Sequence, residues 1–127
     1  MKAWRQPSII VVIVLAILVL PHAARADVIT DWNTVWLQAI RVTGGGPGPL
    51  ARHGAILHVA MYDAVNSIER THEPYFMLED APPGTSAEAA AAVAAHRVLK
   101  SIYADPTLHA LFDAQLQAHL NAIPDGP

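Results

Sequence analysis

Residues 50–69, "LARHGAILHVAMYDAVNSIE", run for twenty positions without a proline. Leu50, Gly54, Leu57, Met61, Ala64, Val65 and Ile68 recur at intervals of three and four, the spacing of one face of a helix. The stretch is apolar over more than half its circumference, with Asp63 and Asn66 confined to a narrow sector. A helix of that kind needs neighbours on nearly every side, so it dictates a helical packing around itself. Its small residues Gly54, Ala60 and Ala64 allow another helix to approach closely.

The flanking sequence supplies helices to do this. Across residues 27–43, Ile29, Trp32, Trp36, Ala39 and Ile40 mark one face of a helix, and "GGGPGP" at 44–49 ends it. Thr85 and Glu88 have the spacing of a capping box ahead of the alanine-rich helix 86–103. Asp105 before Pro106 starts a fourth helix, along which Leu108, Leu111, Phe112, Leu116, Leu120 and Ile123 form the apolar stripe. The segment 70–85, mixing proline, glycine and acidic residues, reads as a surface loop that tucks Tyr75, Phe76 and Leu78 onto the helices. No stretch alternates with period two, so the expected fold is all-α, about four helices.

Residues 1–26 have the three parts of a secretory signal: Lys2 and Arg5, the apolar run Ile9 to Leu20, then "PHAARA", whose Ala24 and Ala26 fit a cleavage site. The rival is an uncleaved anchor, but twelve apolar residues span only about 18 Å of a hydrocarbon core roughly 30 Å thick. The expectation is export to the periplasm or exterior, a mature chain starting at Asp27, and no stable membrane span. Residues 27–127 then form one small domain or one piece of a larger one.

The whole chain carries eight basic and eleven acidic residues. Three basic residues, Lys2, Arg5 and Arg25, fall in the signal, which leaves five against eleven, a net −6 with histidine neutral. No basic stripe remains for nucleic acid. The absence of cysteine excludes disulfides and thiolate metal sites.

His58 and Tyr62, four apart, share a helix face, with Asp63 and Asn66 on a neighbouring one. They include no nucleophile beside a base and no convergent ligand set, so their expected use is structural, bonding loops and helix ends. His109 and Asp113 have a two-ligand spacing, with His53, His58, His96 and His119 as further donors, but a surface ion pair is the commoner use. No nucleophile elbow, P-loop, zincin or dinucleotide motif is present. Trp32 and Trp36 read as core.

The ordered set "ADVITDWNTVWLQAIRVTG", "ARHGAILHVAMYDAVNSIE", Pro74-Tyr75, "PPGTSAEAAAAVAAHRVL" and "FDAQLQAHLNAIPDG" resembles the N-terminal region of secreted bacterial proteins related to vanadium-dependent haloperoxidases. The resemblance runs from about residue 27 to 126. That superfamily also includes type-2 phosphatidic acid phosphatases. It implies an all-helical fold and, in complete members, a cationic pocket for vanadate or phosphate.

The family builds that pocket with a lysine, an Arg-Pro, a Ser-Gly-His stretch and a later arginine and histidine. None can be carried over: Lys100 is followed by "SIYADPT", and Ser-Gly-His is absent. The resemblance therefore implies no catalytic, cofactor or metal residue here, and vanadate only for a fuller relative. It implies the scaffold part of a larger helical bundle whose catalytic part is missing, with the missing part or self-association completing the core. The alternative is a free-standing exported interaction module.

Overall fold

The computed structural model describes residues 27–77 and 79–123. Residues 1–26, Leu78 and residues 124–127 lie outside the described residues, and with them the signal, its cleavage site, the burial of Leu78 and the closing turn. Four helices follow in order: α1 Val28–Thr43, α2 Pro47–Glu69, α3 Ala87–Ile102 and α4 Pro106–Ala122. The fold is all-helical, with no strand among the described residues. None of the described helices is long and apolar enough to cross a membrane.

Asp27 caps α1 by accepting from the Thr30 N–H at 2.8 Å, and Gly44 ends the helix at a φ of +66°. The glycine–proline cluster does more than terminate. Its second half is already helical: Gly46 is the N-cap of α2 and Pro47 its first residue, three positions before the expected start at Leu50. Proline suits that turn because its missing N–H has no helical acceptor to lose. A second correction falls on α3, whose cap is Ser86, with its hydroxyl accepting from Ala89 N at 3.2 Å. Thr85 instead donates its hydroxyl to Pro82 O at 2.7 Å, closing the preceding turn. The Asp105-Pro106 start of α4 is as expected.

Helix α3 packs between α2 and α4, and α1 lies against all three. Trp32, Leu57, Met61, Leu99 and Phe112 are fully buried where the four helices meet. Ala91, Ala92 and Ala95 are buried too, and their short side chains let α3 sit close to its neighbours. Gly54 serves the close approach expected of it: a Cβ there would lie 2.5 Å from Trp36 Cη2 of α1. Ala60 and Ala64, both half-buried, line an open groove.

Candidate functional site

Five polar side chains at the C-terminal end of α2 and at its cap, at positions 62, 63, 66, 67 and 70, fall on one helical stripe, and each of them holds the segment 71–80. Tyr62 donates its hydroxyl to Glu73 O at 2.8 Å. Asn66 grips His72 from both sides, donating to its carbonyl at 2.7 Å and accepting from its N–H at 3.0 Å. Ser67 donates to Asp63 O at 2.8 Å and accepts from Glu79 N at 3.1 Å. Arg70, held at a φ of +50° as the C-cap, pairs with Asp80.

Asp63 is the centre of this ladder. Its Oδ1 accepts from Tyr75 N at 2.8 Å, and its Oδ2 accepts from Phe76 N at 2.9 Å and Met77 N at 3.0 Å. Burial pushes the carboxyl up, but the three N–H donors together outweigh it and hold Asp63 below the usual carboxylate range. Asp63 and Asn66 are the two buried polar residues among the described residues, and both are spent on backbone. The loop is thus a strap laid along α2, as the structural use of these side chains predicts.

The strap's side chains correct another expectation. Tyr75 and Phe76 do not tuck onto the helices: they are 75% and 82% exposed, and Met77 is 50% exposed. A hairpin of three consecutive N–H groups around one carboxylate turns the backbone inward and leaves these side chains pointing away. They form one wall of an open groove of about 670 Å³, whose floor is Ile56, Val59, Ala60, Ala64 and Ile68 of α2. The groove runs along one flank of α2, and Ala90 of α3 also lines it.

The histidines are distributed differently from the sequence-based pairing. His58 does not work with Tyr62; it meets Asn33 Oδ1 of α1 at 3.3 Å. His109 does not face Asp113, since its Nε2–H donates to Tyr103 O at 2.6 Å. Asp113 instead reaches across to α3, accepting from Lys100 Nζ at 2.9 and 3.1 Å and from His96 Nε2 at 2.6 Å. The Lys100 ammonium, with His96 assisting, holds the Asp113 carboxyl below its ordinary value. His96 and His119 flank the buried Trp32, one edge-on and one stacked, at ring distances of 6.4 and 6.1 Å. No group of three metal-ligating side chains converges among the described residues.

An oxyanion such as vanadate or phosphate needs several fixed cations around it. The large groove is lined by neither lysine nor arginine, and a second, smaller concavity is lined by Asp27, Asp31, Glu88 and His119. Arg70 and Lys100 are each engaged by a carboxylate. Neither concavity gathers the fixed cations that such an oxyanion needs.

The strap ladder was only half visible in the sequence. Asp63 and Asn66 stand out in an apolar helix, whereas Ser67 and Arg70 do not. The signal that finds them is the run 62, 63, 66, 67 and 70 of polar residues on one helical stripe directly before a proline-containing loop. No protein-family model, curated protein or solved structure matches the chain.

Proposed function

We propose that the chain is a helical scaffold that presents a docking face: the N-terminal scaffold part of an exported haloperoxidase-like or phosphatase-like protein, without catalytic groups of its own. One observation carries this reading. Tyr62, Asp63, Asn66 and Ser67 of α2 are consumed in fixing the strap, and beside it lies an apolar groove with exposed Tyr75, Phe76 and Met77 along it. A contiguous apolar surface of this kind marks an interaction site. The resemblance in residues 27–126 supports the family assignment, and the segment 1–26 supports export to the periplasm or exterior.

A second reading, a free-standing exported interaction module, is favoured by the strap itself. Its backbone is already locked to α2 by Tyr62, Asp63 and Asn66, so the groove wall is formed before any partner arrives. Both readings place the function in the groove.

The test is direct. Purified chain is titrated calorimetrically with orthovanadate and with phosphate, and assayed for peroxide-dependent halide oxidation and phosphomonoester hydrolysis. The expected result is no saturable oxyanion binding and no turnover, with binding of an environment-sensitive hydrophobic dye that Phe76→Ser reduces. Saturable vanadate binding, or turnover in either assay, overturns the scaffold reading. Cooperative unfolding of the isolated chain favours the free-standing module over a part that needs the rest of a larger protein.

A further inference from the structure

The groove has an arrangement of charge that selects its occupant. Its floor is a two-residue-wide stripe of α2 in which Ala55 and Ile56, Val59 and Ala60, and Ala64 face outward. Arg52 lies outside the groove's lining but on the same stripe, one turn before Ile56, and is exposed. At the opposite end Glu79 lines the groove, its backbone pinned to Ser67 of α2. Neither Arg52 nor Glu79 has an ion-pair partner among the described residues.

The two ends lie at similar distances from the middle of the stripe. Arg52 precedes Ala60 by eight residues, and Ser67, whose hydroxyl holds the Glu79 backbone, follows it by seven. At 1.5 Å per residue these two points on α2 lie about 12 Å and about 10 Å along the axis from the centre. Arg70 beside Glu79 is balanced by Asp80, so the surface carries a cation at one end, a net anion at the other and an apolar middle, and it is complementary to itself when one copy is turned end for end.

We propose that two copies of this chain pair through the groove, their α2 helices antiparallel about a two-fold axis near Val59 and Ala60. Arg52 of each copy then meets Glu79 of the other, twice per dimer, as a closed isologous interface requires. Parallel pairing would set Arg52 against Arg52 and Glu79 against Glu79, which like-charge repulsion disfavours. The alanines at 55, 60 and 64 let the two helices approach closely, and the second copy covers the exposed Tyr75, Phe76 and Met77. This deepens the docking-face reading by naming the occupant as a second copy, and it rests on that reading.

The experiment is sedimentation velocity on the exported chain over a concentration series, with intact mass recording whether residues 1–26 are retained. Wild type is expected to show a monomer–dimer equilibrium. Arg52→Glu and Glu79→Arg should each weaken the dimer by roughly tenfold or more, and the double variant R52E/E79R should restore most of it. Both positions are exposed, and unchanged circular dichroism confirms that the variants fold.

A photo-crosslinking residue in place of Ile56 identifies the occupant. Cross-links to the strap of a second copy support the proposal, whereas cross-links within one chain, to residues 1–26 for example, overturn it. A dimer indifferent to both charge reversals overturns it as well, because it then forms elsewhere. A folded monomer that still binds the hydrophobic dye through Phe76 sinks the self-pairing and leaves the docking face standing; a folded monomer that binds no dye sinks both.

Discussion

Replacing Asp63 with alanine should detach the strap while leaving the four-helix core in place. The carboxylate accepts three backbone N–H bonds, from Tyr75, Phe76 and Met77, at 2.8 to 3.0 Å. Bonds to a charged acceptor contribute about 1.5–3 kcal/mol each, but the strap N–H groups are near the surface and regain water once freed. Alanine also removes the cost of burying the carboxylate, so the net loss is expected to be about 2–3 kcal/mol, measured by urea unfolding with tryptophan fluorescence. That is a large part of a total that runs from about 5 to 15 kcal/mol for a domain.

The same group makes the prediction depend on pH. Its folded-state carboxyl is held below the ordinary value, so the stabilisation is fully present above the unfolded value of about 3.9 and is lost as pH falls through the folded one. The stability gap between wild type and Asp63→Ala should therefore be constant from neutral pH down to about 5 and close below about 4. Hydrogen exchange at residues 75–77 should be fast in the variant at neutral pH. A variant as stable as wild type at neutral pH, or a gap that persists unchanged into acid, would refute the strap argument.

Three further perturbations test the packing around this site. Gly54→Ala gains about 1 kcal/mol of helix propensity but drives a methyl to 2.5 Å from Trp36 Cη2, an overpacking cost of about 1–3 kcal/mol. Thermal unfolding should show net destabilisation, and a raised Tm would mean that the Trp36 ring moves freely aside. Tyr103→Phe removes a buried hydroxyl that lies beside the Trp36 indole but makes no well-formed hydrogen bond among the described residues, so its stability should stay within about 1 kcal/mol of wild type or rise. A larger loss in urea unfolding would show that the hydroxyl is bonded. Asp113→Asn breaks the exposed pair with Lys100 and the contact with His96, and should lower stability only slightly, by an amount that shrinks in high salt. A large, salt-independent loss would give Asp113 a buried role it does not have here.

The four helices were legible because local rules write them. The apolar intervals of α2 and the Asp105-Pro106 start of α4 are short-range signals, and the helices form where these place them. Failures came where two local solutions compete. Thr85 and Ser86 both suit an N-cap, and the turn through Pro82 engages the first, leaving the second to cap α3. His109 has the spacing to meet Asp113, but Lys100 and His96 on the neighbouring helix reach that carboxylate, a proximity that no single-helix pattern contains.

The sequence by itself determined that the chain is helical, where its helices begin within a few residues, and that α2 carries too much apolar surface for one face to bury. Those properties follow from backbone propensity and periodicity, which act over a few residues. Only the tertiary structure decided which flank of α2 stays open and where the strap lies. That outcome depends on Asp63 drawing three consecutive N–H groups inward, which turns Tyr75 and Phe76 outward in spite of their hydrophobicity. Hydrophobicity states a preference for burial; the hydrogen bonds of a buried carboxylate set the direction of the backbone, and the side chains follow it.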